Sequence, residues 1–181
     1  MKYPSQELVN EHEAILLGLN ILEQMTNMIQ EAKLVEINDI EEMLGFLRVF
    51  ADKCHHGKEE DLLFPAMEEV GIPNERGPIG QMLIEHNEGR KYIGEMAASI
   101  QEGNLLENNF IQAAGRYITL LRAHINKENK VLFPLGDKML PIDKQKELML
   151  KFQEFEQQVM GLETHEKFHE LLHNLQNKYQ G

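Results

Sequence analysis

The chain has 181 residues, with 30 acidic and 18 basic side chains and a net charge of −12 at pH 7. That length suits a single domain, and the acidic balance excludes charge-driven binding to nucleic acid or to an anionic membrane, whose surfaces are themselves negative. One cysteine, Cys54, excludes an internal disulfide and fits a reducing cytoplasm.

No apolar run approaches the roughly 20 residues of a membrane helix, and the first residues lack the apolar stretch of a secretory signal. Between residues 5 and 31 the only glycine is Gly18, and Leu8, Ile15, Leu19, Leu22 and Ile29 recur at the helical period. A second helix is predicted to open at Asn38, with Glu41 completing a capping-box-like pair, and to stop at Gly71-Ile72-Pro73. A third runs from about Pro78 to a left-handed cap at Gly103-Asn104, and a fourth covers about 106–138. The last starts after Pro141 with Asp143 as N-cap and continues as one helix almost to the end. Pro65 and Pro134 are expected to kink or end their helices, since proline has no N–H to donate. No segment alternates like a strand. The expected fold is all-α: an up-down-up-down four-helix bundle over residues 1–140, with an additional C-terminal helix over 141–181 packed on or capping it.

The eight histidines are unevenly placed. The stretch His55-His56-Gly57-Lys58-Glu59-Glu60-Asp61-Leu62-Leu63-Phe64-Pro65 aligns without gaps on His124-Ile125-Asn126-Lys127-Glu128-Asn129-Lys130-Val131-Leu132-Phe133-Pro134. Upstream of each copy stands a histidine beside acids, Glu11-His12-Glu13 and Glu85-His86-Asn87-Glu88. The chain therefore reads as two helix pairs, each with a histidine on its first helix and His-x-x-x-Glu on its second.

Residues four apart share a helix face, so each His and Glu can hold one small object. At about 100° per residue, His12, His55, His86 and His124 all fall on apolar stripes, the last leading towards Val131 and Leu135. His56 is turned about 100° from His55 and aligns with Ile125, so it reads as a boundary residue. Counted from the turn within each helix pair, the two histidines of a pair differ in height by only ~3–5 Å.

A lone histidine on an apolar face is usually a hydrogen-bonded core residue. Two buried carboxylates, Glu59 and Glu128, change that reading, because each needs a cation and no Lys or Arg shares their stripes. A metal centre satisfies all six groups. Imidazole and carboxylate without thiolate suit non-haem iron, manganese or zinc, and six ligands suit two metals bridged by both carboxylates better than one tetrahedral zinc.

On the pattern His12, His55-x-x-x-Glu59, His86, His124-x-x-x-Glu128 with two Leu-Phe-Pro tails, the sequence resembles the haemerythrin-like (HHE cation-binding) family over about residues 5–138, especially its bacterial branch of iron-centre repair proteins. The resemblance implies two non-haem iron ions, oxo- or hydroxo-bridged, in a four-helix bundle that meets dioxygen, nitric oxide or peroxide, with no redox partner identified. Oxygen carriers in that family use a fifth histidine on the third helix, where this chain has only His86. His165 on the last helix is the candidate fifth ligand, with His169 beside it and a solvated or capping histidine as the alternative. The leading expectation is a protein that binds or senses a small oxidant or handles iron. The alternatives are a di-iron enzyme or repair factor, and an interaction bundle with a structural metal. Cys54 is expected to be buried and inert, and the methionines to fill core gaps.

Overall fold

The apolar period of the first segment folds as α1, Pro4–Gln30, in a computed structural model that describes residues 3–180. Helix α2 covers residues 37–69 and is not uniformly α-helical: Ile37–Phe46 and Phe64–Glu69 are α, whereas Leu47–His56 and Glu59–Leu63 are wound as π-helix. Helix α3 is Pro78–Ala98. Helix α4 covers 107–139, with a π segment, Glu128–Leu132, between α-helical Glu107–Lys127 and Phe133–Met139. Two further helices, α5 (Ile142–Val159) and α6 (Leu162–Tyr179), lie over the α1/α2 side of the bundle. The expected all-α bundle with an appended C-terminal segment is what forms.

The differences from expectation have local causes. Pro65 and Pro134 do not end their helices; a π turn, with i→i+5 pairing, stands just before each and accommodates the missing donor. Neither Asn38 nor Asp143 is an N-cap: the caps are Glu36 and Pro141, and neither helix start has a side-chain cap. At α2 the work is done from α6, where the Tyr179 hydroxyl accepts the Glu36 N–H at 3.3 Å and donates to Asp39. The last segment is two helices because Gly161 takes φ +76, a conformation open mainly to glycine, while its N–H closes on the Glu156 carbonyl. Gly103 is left-handed as expected, but with Glu102 it forms the tip of a two-residue hairpin, Ile100–Gln101 against Asn104–Leu105, not a helix cap.

The core is in two apolar clusters, stacked along the bundle with a polar layer between them. On α1, Leu8 belongs to one cluster and Ile15 to the other, with His12 between. The same order holds on α2 (Cys54, then Leu63), α3 (Ile93, then Met82) and α4 (Ile125, then Leu132). Among the described residues, six methionines are buried in the core.

Phe155 of α5 reaches the bundle at Gly57, where an added Cβ would lie 2.7 Å from the ring. Gly57→Ala is therefore expected to cost about 1–3 kcal/mol in equilibrium urea unfolding. Gly94, exposed on α3 with nothing near its Cβ position, should show the opposite sign, gaining about 0.5–1 kcal/mol as alanine.

Candidate metal centre

The polar layer gathers the predicted side chains. His12, His55, His86 and His124 are each 1% exposed, and Glu59 and Glu128 are fully buried. Two imidazole pairs form: His12 and His55 bring their Nε2 atoms to 3.0 Å, and His86 and His124 to 3.2 Å. The two carboxylates span both pairs. Glu59 stands 3.4 Å from His55 and 3.2 Å from His86 through its two different oxygens, and Glu128 stands 3.2 Å from both His12 and His124 in the same way.

Every one of these imidazoles has its Nδ1 occupied on the outer side. His12 donates to Asn129 at 2.7 Å, His55 to Glu11 at 2.7 Å, His86 to Glu60 at 2.7 Å and His124 to Glu85 at 2.8 Å. With Nδ1–H directed outward, each neutral ring presents a bare Nε2 lone pair inward. No oxygen of Glu59 or Glu128 has a hydrogen-bond partner among the described residues. Four nitrogen lone pairs and four carboxylate oxygens thus converge in an apolar interior, an arrangement that requires cations. The donor set, all nitrogen and oxygen, fits a non-haem metal of the iron, manganese or zinc type.

The sequence comparison points the same way: residues 3–136 match the hemerythrin HHE cation binding domain. The chain belongs to that family. Searches of the curated proteins and of the solved structures gave no match. As a hemerythrin HHE protein with buried His/Glu groups of ligand geometry, the chain is a metal-binding protein. Among the described residues no helix is long and apolar enough to cross a membrane.

The outer partners of the hemerythrin-type centre follow the duplication. Glu11 and Glu85 each precede a site histidine but hold the histidine of the neighbouring helix, His55 and His124. Glu60 and Asn129, aligned in the repeat, each follow a site glutamate and hold His86 and His12. Lys58 is completely buried; its ammonium lies 2.5 Å from Glu11, 3.1 Å from Glu7 and 2.9 Å from Glu156 of α5. That acidic group is therefore already filled by a cation of the chain itself. Lys127 pairs with Glu85, so neither lysine serves Glu59 or Glu128.

His56 departs from expectation. It is 4% exposed, stacked on the His86 ring at 3.8 Å and 16°, because residues 47–56 wind as π-helix and turn less than 100° per residue. The same phase shift carries Val131 out to 60% exposure and puts Leu132 in the core instead. His165 is not brought to the centre. Set in the first turn of α6, it lies 3.9 Å from Glu156 and beside His169 in a cleft of about 260 Å³, linked to His55 only through Glu156, Lys58 and Glu11. Tyr117 is buried, its hydroxyl without a partner among the described residues, and burial pushes the Cys54 thiol up to about 12, which leaves it protonated and inert.

Without metal, protons must hold these pairs. Burial would raise the Glu85 carboxyl, but hydrogen bonds from His124, Lys127 and Gln81 bring it down to about 2. Glu11 likewise stands at about 2, burial being outweighed by His55 and Lys58. Burial opposes charge on His124, yet Glu128, Glu85 and Glu59 raise it to about 10. The carboxyl contribution to stability is complete above the ordinary 4.5 and lost as pH falls towards 2. The imidazolium contribution is complete below 6.5 and lost as pH rises towards 10. Denaturation midpoints of the metal-free chain should therefore decline on the alkaline side above about pH 6.5 and on the acid side below about 4.5, with buried neutral His56 adding to the loss on the acid side of 6.5. Metal loading should remove the alkaline decline, since the ion replaces the proton on Nε2.

Proposed function

We propose that the chain holds two iron ions and binds or senses a small oxidant at them. His12 and His55 would hold one ion, His86 and His124 the other, with Glu59 and Glu128 bridging. The observation that carries this is the pairing: each carboxylate offers one oxygen to each imidazole pair, at 3.2–3.4 Å. Two irons supply reversible one-electron chemistry and coordination positions that the protein donors leave free.

The protein's own contribution is orientation and exclusion. Nδ1 hydrogen bonds fix each ring and raise its basicity, and donors that are 0–1% exposed keep the site out of contact with bulk water. The test is stopped-flow absorbance of the reduced, iron-loaded chain mixed with dioxygen, nitric oxide or peroxide. A stoichiometric spectral change, reversed by removing the ligand or by reduction, is expected. Multiple rapid turnovers would make the protein an enzyme, and no response to any of the three would leave a structural metal.

A further inference from the structure

We propose that His56 is a fifth nitrogen donor, serving the metal held by His86 and His124; this deepens the two-iron reading and rests on it. Four observations meet at this side chain. Its Nε2 is buried and has no hydrogen-bond partner among the described residues. Its Nδ1 lies 3.3 Å from Asp52, so it has the same outward carbonyl- or carboxylate-type partner as the four other imidazoles. Asp52 is itself held by Arg90 at 2.9 and 3.1 Å, and Arg90 also grips Glu60, the partner of His86, at 2.7 Å. Finally, His56, Glu59, His86 and His124 each offer a ligand atom, and all four atoms lie within 4.8 Å of one another.

The duplication shows what is particular to this residue. His12 with His86, Glu11 with Glu85, His55 with His124 and Glu59 with Glu128 repeat between the two halves, but the counterpart of His56 is Ile125, buried and without a donor atom. One metal therefore receives three imidazoles and its neighbour two. A ring serving only to pack on His86 would need neither the Asp52 contact nor an inward lone pair.

The test is proton NMR of the reduced, iron-loaded chain. Each imidazole bound through Nε2 gives a solvent-exchangeable Nδ1–H signal shifted far outside the ordinary range by the unpaired electrons. Five such signals are expected in the wild type and four in His56→Ala, with two irons bound in both. Four signals in the wild type, with two irons bound, overturn the His56 assignment and leave the two-iron reading standing. Five signals retained in His56→Ala place the fifth donor elsewhere and also overturn it. Failure of the wild type to take up two irons overturns both. His56→Gln, closer in volume, gives the same four-signal expectation where alanine disturbs folding.

Discussion

Glu128→Gln is expected to reduce metal loading from two ions per chain to at most one while the bundle still folds. The amide keeps the shape of the carboxylate, so the fully buried site is not emptied. It cannot bridge, because it replaces one anionic oxygen by an N–H donor aimed at His12 or His124, each 3.2 Å from the present oxygens. Glu59→Gln should behave alike through His55 and His86. Beyond the loss of the Glu128–His124 pairing in the metal-free chain, the variant should also lose stabilisation by metal. An ion at about 1,000 times its dissociation constant stabilises the native state by about 4 kcal/mol, and this increment should be absent from the variant. Metal analysis beside thermal unfolding, with and without ferrous iron, reads both quantities.

Lys58→Met should be the most destabilising single change outside the centre, by about 3–5 kcal/mol. The ammonium is completely buried and is the shared counter-charge of Glu7, Glu11 and Glu156. Removing it leaves three clustered carboxylates, and it also loosens Glu11, which orients His55. Loss of such an outer partner typically lowers metal affinity about 10–100-fold. Adding Glu156→Gln to the variant should recover part of the stability without restoring the affinity, because Glu156 does not touch a site histidine. A double-mutant cycle in urea, paired with iron titration, separates the two effects.

The repeated His-x-x-x-Glu motifs made the centre legible in the sequence, because i, i+4 spacing fixes a shared face whichever neighbours surround it. The depth of the four histidines followed from helix rise alone, and Glu59 and Glu128 stood out because nothing nearby could neutralise them. Rotation along these helices is not uniform. His56 enters the layer and Val131 leaves the core because the helices carry π turns beside the site, and the prolines after them, Pro65 and Pro134, were the visible signal. The outer shell was hidden for another reason. Glu11 and Glu85 sit next to His12 and His86 in sequence but serve His55 and His124, and only the packing of neighbouring helices reveals the exchange. His165 fell on an apolar face of its helix, but that face meets α1 and the start of α2, away from the polar layer. Gly161, at φ +76, divides the C-terminal segment into two helices although apolar residues continue on both sides of it.

In the proposed function, one buried layer holds two irons joined by Glu59 and Glu128. Iron and protein quantification of the reconstituted, oxidised chain, combined with electron paramagnetic resonance, tests it most directly. Two irons per chain with no signal from isolated ferric ions is the predicted result, since shared carboxylates couple the two spins. One metal per chain, or two irons giving the signal of independent ferric ions, would contradict it.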